Sequence, residues 1–212
     1  MSDSSKRTAI VGAGALGQQL AQHLRQCGQA VAGFFDDELL GHSTPEGIVL
    51  GPVAAASAAF AAGQYEELLL GVGYRHLAAR GRLFEELCAQ GLPFGRFVHP
   101  SAYIDASVTL GNGVCIWPGC LLDLNVHLAD NVLLYPGCIV AHDTRIGAHS
   151  LLAPGVRLAG RIRVGERCFL GVGSTVLDSL ELADDVRTGG GTVVINSLLE
   201  PGTYVGVPAR ML

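Results

Sequence analysis

The chain has 212 residues, of which 49% are hydrophobic and 16% charged, and it contains 29 glycines. This composition excludes a disordered tail, a coiled coil and a highly charged helical bundle, and the length indicates two small domains. Soluble domains average about 25% charged residues, so the low charge content predicts surface hidden between subunits and therefore an oligomer. The net charge of -5 argues against a nucleic-acid partner, because the phosphate backbone would be repelled.

Membrane-spanning segments, disulfide bonds and structural zinc sites are not expected. No stretch reaches the roughly 18 consecutive apolar residues of a membrane span, and the start MSDSSKR lacks the apolar centre of a signal peptide. We therefore expect a cytoplasmic protein. The six cysteines form no CxxC pair, so neither a disulfide nor a zinc framework is expected.

The first half of the chain alternates strand-like and helix-like segments, which is typical of an α/β unit. Residues 8–28 predict a strand, a turn and a helix, and the turn contains the pattern GxGxxG (Gly12, Gly14, Gly17). A second predicted strand ends at Asp36 and Asp37, and a third ends at Gly73. A helix over 75–91 and a closing strand over 94–102 complete this half.

The glycine turn followed by acids suggests a nucleotide site. A dinucleotide such as NAD needs two mononucleotide halves, whereas about 90 residues supply only one, so an NAD-dependent dehydrogenase is disfavoured. Two interpretations stay open. The glycines either pack the helix against the strand, or bring backbone N–H groups close to the phosphates of a different nucleotide.

The second half repeats every six residues. From Ile104 to Leu182, fourteen successive sixth residues are aliphatic, and the residues two places before them are mostly small or β-branched. A period of six matches neither an α-helix nor an amphipathic strand, but it suits a short strand plus a turn, with three hexads per coil of eighteen residues. Both columns are predicted to point inward, over an uninterrupted span of 104–187 that ends before the glycines at 189–191.

The histidines of this half are candidates for metal ligands or for a general base. His127, His142 and His149 do not share one face when eighteen residues form a coil, so no metal site is expected. His142 follows an inward column residue by two places and should project outward, with Asp143 directly after it. Gly160, one coil later, should leave space for a ligand beside the ring. An imidazole titrates near neutral pH and can act as a general base, although an exposed histidine without any such role remains the alternative.

The order of these motifs resembles the sialic acid O-acetyltransferase (NeuD) family, which includes the PglD-type N-acetyltransferases of nucleotide-linked amino sugars. The matching segments are GAGALG, FFDD, HPSAYI, the hexads with HD, FLGVGSTV, LADDVRTGGGT and GVPAR. The resemblance implies a Rossmann-like half domain at 1–99 followed by a left-handed parallel β-helix at 100–212. It also implies a homotrimer that uses acetyl-CoA as co-substrate and needs no metal.

Site residues are carried over by position from the same resemblance. It implies that His142 is the general base and that Asp143 orients its ring. The nucleotide-sugar contacts that it implies are Gly14, Ala15, Leu16, Asp36, Asp37 and Gly73. The acetyl-CoA contacts are Leu151, Val172 and Gly190, with backbone N–H groups near Gly160 stabilising the oxyanion. Leu151 stands where a histidine is frequent in the family, and His149 is a nearby candidate to replace it.

The sequence thus predicts an N-acetyltransferase that acts on the amine of a UDP-, dTDP- or GDP-linked amino sugar for polysaccharide or glycan assembly. Two alternatives remain open. A sugar hydroxyl could be the acceptor in place of the amine, which the sequence does not decide. The hexads could instead belong to a non-catalytic trimeric scaffold that binds a nucleotide.

Overall fold

A computed structural model describes residues 6–212 and divides the chain into two units between Arg96 and Phe97. A mainly parallel sheet forms the centre of the first unit. The strand order is β3-β4-β2-β1-β5, with β3 antiparallel to β4 and the other pairs parallel. The strands are β1 (Arg7–Val11), β2 (Ala30–Phe35), β3 (Ser43–Thr44), β4 (Gly47–Gly51) and β5 (Glu67–Leu70). The helices are α1 (Ala15–Gln26), α2 (Ala56–Ala61) and α3 (Leu77–Ala89), with 3₁₀ turns at Val53–Ala55 and Tyr74–His76.

Most predicted elements of this unit occur where the sequence places them. Strands β1, β2 and β5 and helices α1 and α3 match the predicted segments, and strand residues such as Ile10 and Leu69 are fully buried. The β3–β4 hairpin and α2 were not predicted. Each is short, and the alanine-rich run at 53–62 carries no clear period.

Eighteen short strands and a closing hairpin strand wind the second unit into three parallel sheets, which we call face 1, face 2 and face 3. Face 1 contains β7 (Tyr103–Ile104), β10 (Leu121–Leu122), β13 (Ile139–Val140), β16 (Arg157–Leu158), β19 (Thr175–Val176) and β22 (Val193–Val194). Face 2 contains β8 (Thr109–Leu110), β11 (His127–Leu128), β14 (Arg145–Ile146), β17 (Arg163–Val164) and β20 (Glu181–Leu182). Face 3 contains β6 (Phe97–Val98), β9 (Cys115–Ile116), β12 (Leu133–Leu134), β15 (Leu151–Leu152), β18 (Phe169–Leu170), β21 (Val186–Thr188), β23 (Gly202–Val205) and β24 (Arg210–Met211).

Within the repeat each strand pairs with the strand eighteen residues later, as in Leu121 with Ile139 and Leu133 with Leu151, whereas at the end β21 pairs with β23 sixteen residues later. The predicted inward columns form the core of this coil stack, since Ile116, Leu134 and Val140 are 0% exposed. The few polar members of the inner column bond to backbone of the next coil, as the Ser150 hydroxyl does to the Gly165 carbonyl at 2.8 Å. The six-residue period therefore specifies a three-sided parallel β-helix.

From Gly113 to Gly191 every sixth residue lies at a corner with left-handed backbone, which gives the stack three corner ladders. Corner 1 joins face 1 to face 2 and carries Asn125, Asp143, Arg161 and Ser179, at φ from 57° to 60°. Corner 2 joins face 2 to face 3 and includes His149 at φ 62°. Corner 3 joins face 3 to face 1 and has glycine in five successive coils at positive φ: Gly119, Gly137, Gly155, Gly173 and Gly191. Asparagine, aspartate and glycine are the residues that tolerate this conformation best.

The coil stack extends beyond both predicted ends. β6, which the sequence suggested as a closing strand of the α/β unit, instead pairs in parallel with β9, so Val98 lies one hexad before Ile104. At the other end the repeat does not fail after Thr188, because Val194 is again fully buried in β22. Thr188 is tolerated in the core since its hydroxyl accepts the Gly171 N–H and lies 2.8 Å from the Ser174 hydroxyl. A hydroxyl with two partners can replace an aliphatic group without leaving buried polar atoms unsatisfied.

No helix within residues 6–212 is both long enough and apolar enough to cross a membrane.

Candidate active site

His142 and Asp143 form a hydrogen-bonded pair on corner 1, directly after β13. Val140 points into the core, Ala141 follows, and the His142 ring then lies at the surface with 42% of its side chain exposed. Its Nδ1 lies 2.9 Å from Oδ2 of Asp143. A carboxylate can only accept, so Nδ1 carries the proton and Nε2 of the neutral ring is left with its lone pair. The pair thus presents a base of defined tautomer.

Gly160, at the equivalent position one coil later, touches this ring. A Cβ atom on Gly160 would lie 2.6 Å from Nε2 and 2.7 Å from Cε1 of His142. The space that the sequence predicted for a ligand beside Gly160 is therefore occupied by the His142 ring, because the ring leans over the Gly160 backbone. The absence of a side chain at this position permits the conformation in which Nδ1 meets Asp143.

Asp143 is held on both carboxylate oxygens. Oδ2 accepts from His142, and Oδ1 accepts from the side-chain amide of Asn125 at 3.0 Å, one coil earlier on corner 1. The hydrogen bond from His142, followed by that from Asn125, keeps the pKa of Asp143 below its usual value. The carboxylate is therefore ionised wherever the imidazole is neutral. Sequence reasoning missed Asn125, although its spacing of eighteen residues from Asp143 was a usable signal.

The residues implied as acetyl-CoA contacts occupy two separate places. Val172 and Gly190 are neighbours on corner 3, where Val172 is 58% exposed and a Cβ on Gly190 would meet the Val172 carbonyl at 3.5 Å. Leu151 instead lies on face 3 with its side chain fully buried. His149 is also buried, with its Nδ1 at 3.0 Å from the Asn131 amide. The chain thus brings Gly160 to His142, but it places Val172 and Gly190 on a different corner.

The glycine turn of the first unit divides into packing positions and one open position. A Cβ on Gly17 would lie 1.9 Å from the Gly12 carbonyl oxygen, and one on Gly71 would lie 2.5 Å from the Gly17 Cα. These three glycines therefore allow α1 to approach β1 and β5. Gly14 has no atom within 4 Å of a Cβ position, although it directly precedes α1. The packing interpretation therefore applies to Gly12, Gly17 and Gly71, whereas the nucleotide interpretation stays a prediction for the open position at Gly14.

The first turn of α1 offers backbone donors beside Gly14. The first bond inside the helix runs from the Gln18 N–H to the Gly14 carbonyl, so the N–H groups of Ala15 and Leu16 precede it. Leu16 is buried at 8% exposure, whereas Gly14 and Ala15 directly before it are exposed. A Cβ on Gly73 would lie 4.0 Å from Leu16, so the turn after β5 borders the same helix end.

The two acids after β2 have different surroundings. Asp36 accepts three backbone N–H groups, from Ala13 at 2.7 Å and from Glu38 and Leu39 at 2.9 and 3.0 Å. It therefore ties the glycine turn to the β2 loop. Asp37 is exposed and uses Oδ1 to accept the Val53 N–H at 2.9 Å. No described residue donates a hydrogen bond to its other oxygen, Oδ2.

Within residues 6–212, no three histidine, cysteine or acidic side chains come close enough to hold a metal ion. The candidate site consists of the imidazole and carboxylate pair on the outside of the β-helix. Such a pair can accept a proton from a nucleophile, and the neighbouring carboxylate stabilises the imidazolium that forms. A β-helix of hexads with this pair belongs to the class of hexapeptide transferases, and residues 125–160 match the family description "Bacterial transferase hexapeptide (six repeats)".

Solved structures place the chain more closely. It is similar to the GDP-perosamine N-acetyltransferase of Caulobacter crescentus, with 30% identity, a TM-score of 0.92 and coverage of 97% of this chain and 96% of that one. It is also similar to the acetyltransferase domain of PglB from Neisseria gonorrhoeae, with 25% identity, a TM-score of 0.90 and coverage of 98% and 100%. The chain belongs to the NeuD and PglD-like family of hexapeptide acyltransferases.

Two of the Caulobacter structures carry a histidine replaced by alanine or by asparagine, each in complex with CoA and GDP-perosamine. WeeI from Acinetobacter baumannii shares the fold at 20% identity, with a TM-score of 0.73 over 97% of this chain and 99% of that one. A search of curated proteins gives no significant match.

Proposed function

We propose that this protein transfers the acetyl group of acetyl-CoA to the amine of a nucleotide-linked amino sugar, with His142 as the general base. The observation that carries the proposal is the His142–Asp143 pair, which fixes Nε2 as the unprotonated nitrogen on an exposed corner of the β-helix. The solved relatives support the acceptor class, because one was crystallised with CoA and GDP-perosamine and another with acetyl coenzyme A.

The reaction proceeds by addition and elimination at the thioester carbon. The sugar nitrogen attacks this carbon while Nε2 of His142 takes one proton of the amine, which forms a C–N bond and an oxyanion. The C–S bond then breaks, and the imidazolium returns the proton to the departing sulfur as the amide and the CoA thiol form. Asp143 stabilises the imidazolium between these steps, and such a base contributes about 10²- to 10⁴-fold to the rate. Backbone N–H groups near Gly160 are the donors that we assign to the oxyanion.

The first unit binds the nucleotide in this proposal. Its parallel sheet with a glycine turn before α1 is the arrangement of half a Rossmann fold. The open position at Gly14, the N–H groups of Ala15 and Leu16 and the turn at Gly73 would receive the diphosphate. Oδ2 of the exposed Asp37 would accept from a ribose or sugar hydroxyl, whereas Asp36 holds the turn in shape.

A homotrimer supplies the part of the site that one chain lacks. His142 lies on corner 1, whereas the acetyl-CoA candidates Val172 and Gly190 lie on corner 3 of the same β-helix. An apolar column of face 1 runs next to corner 1, through Leu121 and Ile139 at 39% and 38% exposure. We propose that this column packs against a neighbouring copy, which brings corner 3 of one chain to corner 1 of the next. The pantetheine arm would then lie between two β-helices.

The proposal is tested by replacing His142 with alanine, with His127→Ala as the matched control. His127 is a histidine of the neighbouring face 2 and has no part in the proposed site. CoA release from acetyl-CoA is followed by thiol detection, with UDP-, dTDP- and GDP-linked amino sugars, including GDP-perosamine, as acceptors. We expect His142→Ala to lose about 10²-fold or more in kcat and still to bind acetyl-CoA in calorimetry.

Retained turnover in His142→Ala would remove the assignment of the base. Release of CoA that depends on sugar hydroxyls but not on the amine would replace the N-acetyltransferase with an O-acetyltransferase. A protein that binds the nucleotide sugar as a trimer and releases no CoA with any acceptor would be the non-catalytic scaffold.

A further inference from the structure

Asn125 is a polar side chain on corner 1 to which the proposed reaction gives no role. It lies eighteen residues before Asp143, so the two residues occupy the same corner of adjacent coils, and both have left-handed backbone at φ 58° and 57°. Its Nδ2 donates to Oδ1 of Asp143 at 3.0 Å, while Oδ2 of the same carboxylate accepts from His142 at 2.9 Å.

We propose that Asn125 is a positioning residue that holds the Asp143 carboxylate in the plane and orientation needed to fix the His142 tautomer. This inference rests on the proposed function, because it concerns the same base. An exposed aspartate paired with an exposed histidine is weakly ordered by that contact alone, since such ion pairs contribute little in water. A second hydrogen bond to the other oxygen removes the rotational freedom that the first one leaves.

Asn125 is itself anchored by the coil before it. Its backbone N–H donates to the Ser107 hydroxyl at 2.8 Å, and the Ser107 N–H donates to Oδ1 of Asp105 at 2.9 Å. The hydroxyl of Ser107 also bonds to that Asp105 oxygen. A chain of hydrogen bonds therefore runs up corner 1 from Asp105 to the imidazole. The base is oriented by residues two coils away.

The cation of the next coil does not take over this role. Arg161 follows Asp143 on corner 1, but its guanidinium donates to Ser179 at 3.0 Å and to Asp178 at 3.3 Å. Arg161 thus contributes to Asp143 only through its charge. On corner 1, the Asn125 amide is the donor that reaches the second oxygen of Asp143.

The tautomer is the step through which Asn125 acts. With Nδ1–H donated to Asp143, Nε2 is free to accept a proton. If the carboxylate rotates away, neutral imidazole also populates the form with hydrogen on Nε2, which cannot act as the base. Loss of Asn125 should therefore lower kcat and leave the KM for acetyl-CoA unchanged, because the amide touches no proposed cofactor contact.

Glycine variants test this without straining the corner. Asn125→Gly keeps a residue that tolerates positive φ and removes only the amide, and Asn125→Asp keeps the shape but sets a carboxylate against Asp143. Ser179→Gly is the matched control, since Ser179 lies on the same ladder at φ 60° and is exposed. We expect kcat to fall roughly tenfold in Asn125→Gly, further in Asn125→Asp and not in Ser179→Gly.

A double-mutant cycle separates positioning from a general structural effect. In an Asp143→Gly background the amide has no carboxylate to hold, so adding Asn125→Gly should change kcat no further. An equal loss in both backgrounds would contradict the proposal, and so would full activity of the single variant. GDP-perosamine, or whichever panel sugar the native protein acetylates, serves as acceptor.

A spectroscopic readout keeps the inference independent of the proposed activity. The ¹⁵N NMR spectrum of the His142 ring in the ligand-free protein, recorded at a pH where the ring is neutral, should show Nδ1 protonated and Nε2 unprotonated. In Asn125→Gly the two nitrogens should move towards a mixture of tautomers, and in Ser179→Gly they should not. An unchanged spectrum in Asn125→Gly would overturn the positioning role even in an active enzyme. Absence of CoA release with an altered spectrum would overturn only the proposed function.

Discussion

At the scale of single residues, the His142–Asp143 pair depends on the absence of a side chain at position 160. The His142 ring reaches Asp143 because Gly160 contributes no side chain above it. The sequence predicted an outward histidine at 142 from its distance to an inward column residue. It did not predict that the ring would occupy the gap at Gly160, since that depends on a side-chain torsion that spacing does not determine.

Gly160→Ala tests this steric requirement. The added methyl would lie 2.6 Å from Nε2 in the present ring position, so the imidazole must turn away from Asp143. Because misplacement by about 1 Å can cost 10²-fold in rate, we expect kcat to fall by tenfold or more. Leu124→Ala changes the equivalent position of the coil before His142 and should leave kcat unchanged. Equal kinetics for native protein and Gly160→Ala would show that the ring is not confined in this way.

The contact between Asn125 and Asp143 on corner 1 was not predicted from the sequence. Asn125 and Asp143 are eighteen residues apart and look unrelated in the chain, yet the coil repeat stacks them with Nδ2 at 3.0 Å from the carboxylate. The partner of a surface aspartate could be named only once the coil length and the corner position were both known. Asp36 and Leu16 are residues that the sequence proposed as ligand contacts but that the fold engages otherwise. Asp36 accepts backbone N–H groups and Leu16 is buried, and the glycine motif alone indicates neither.

At the scale of the element, strand β14 shows that the two residues of one strand face in opposite directions. Ile146 is 1% exposed and fills the inward column, whereas its neighbour Arg145 is exposed on face 2. Such alternation could be predicted from the period because inward and outward positions differ by one residue. The ends of the stack could not, since Val98 precedes the run counted from Ile104 and Thr188 replaces an aliphatic residue with a hydrogen-bonded hydroxyl.

Replacing the two residues of β14 by alanine tests this division. We expect Ile146→Ala to lower the free energy of unfolding of the coil unit by about 2–5 kcal/mol, because it opens a cavity in a packed core. Arg145→Ala, the matched control, should change it by less than about 0.5 kcal/mol. Urea unfolding followed by circular dichroism measures both. Similar losses in the two variants would contradict the assignment of inward and outward positions.

The glycine turn before α1 gives a second prediction at this scale. Gly14 has open space at its Cβ position, so Gly14→Leu should fold normally but obstruct the proposed phosphate site. We expect the KM for the nucleotide sugar to rise about tenfold or more, with the KM for acetyl-CoA unchanged. Gly17→Ala should instead lower the thermal midpoint, because its Cβ would overlap the Gly12 carbonyl. An unchanged KM in Gly14→Leu would leave this turn with a packing role only.

At the scale of the whole molecule, the low charge content and the apolar column on face 1 point to the same assembly. Tyr103, Leu121 and Ile139 stack on adjacent strands and are 59%, 39% and 38% exposed. Composition predicts hidden surface, and the strand register brings these exposed apolar side chains together on face 1, where we propose the contact between copies. The division of site residues between corner 1 and corner 3 makes assembly a requirement of the proposed chemistry.

Ile139→Asp tests the assembly. A carboxylate buried between subunits without a partner is strongly unfavourable, so we expect the trimer to dissociate in light scattering and acetyl transfer to be lost with it. Leu199→Asp, at a residue that is 68% exposed elsewhere on the unit, should leave both properties unchanged. A native protein that is monomeric and active, or an active monomeric Ile139→Asp variant, would exclude a site shared between copies.

The most direct measurement is the mass and the acetylation position of the product formed from acetyl-CoA and an amino sugar linked to UDP, dTDP or GDP. The account predicts that one of these sugars gains a single acetyl group on nitrogen, with one CoA thiol released per product in the native protein and almost none in His142→Ala. Acetyl transfer that persists without His142, or that never reaches an amine in any of the three nucleotide series, would contradict it.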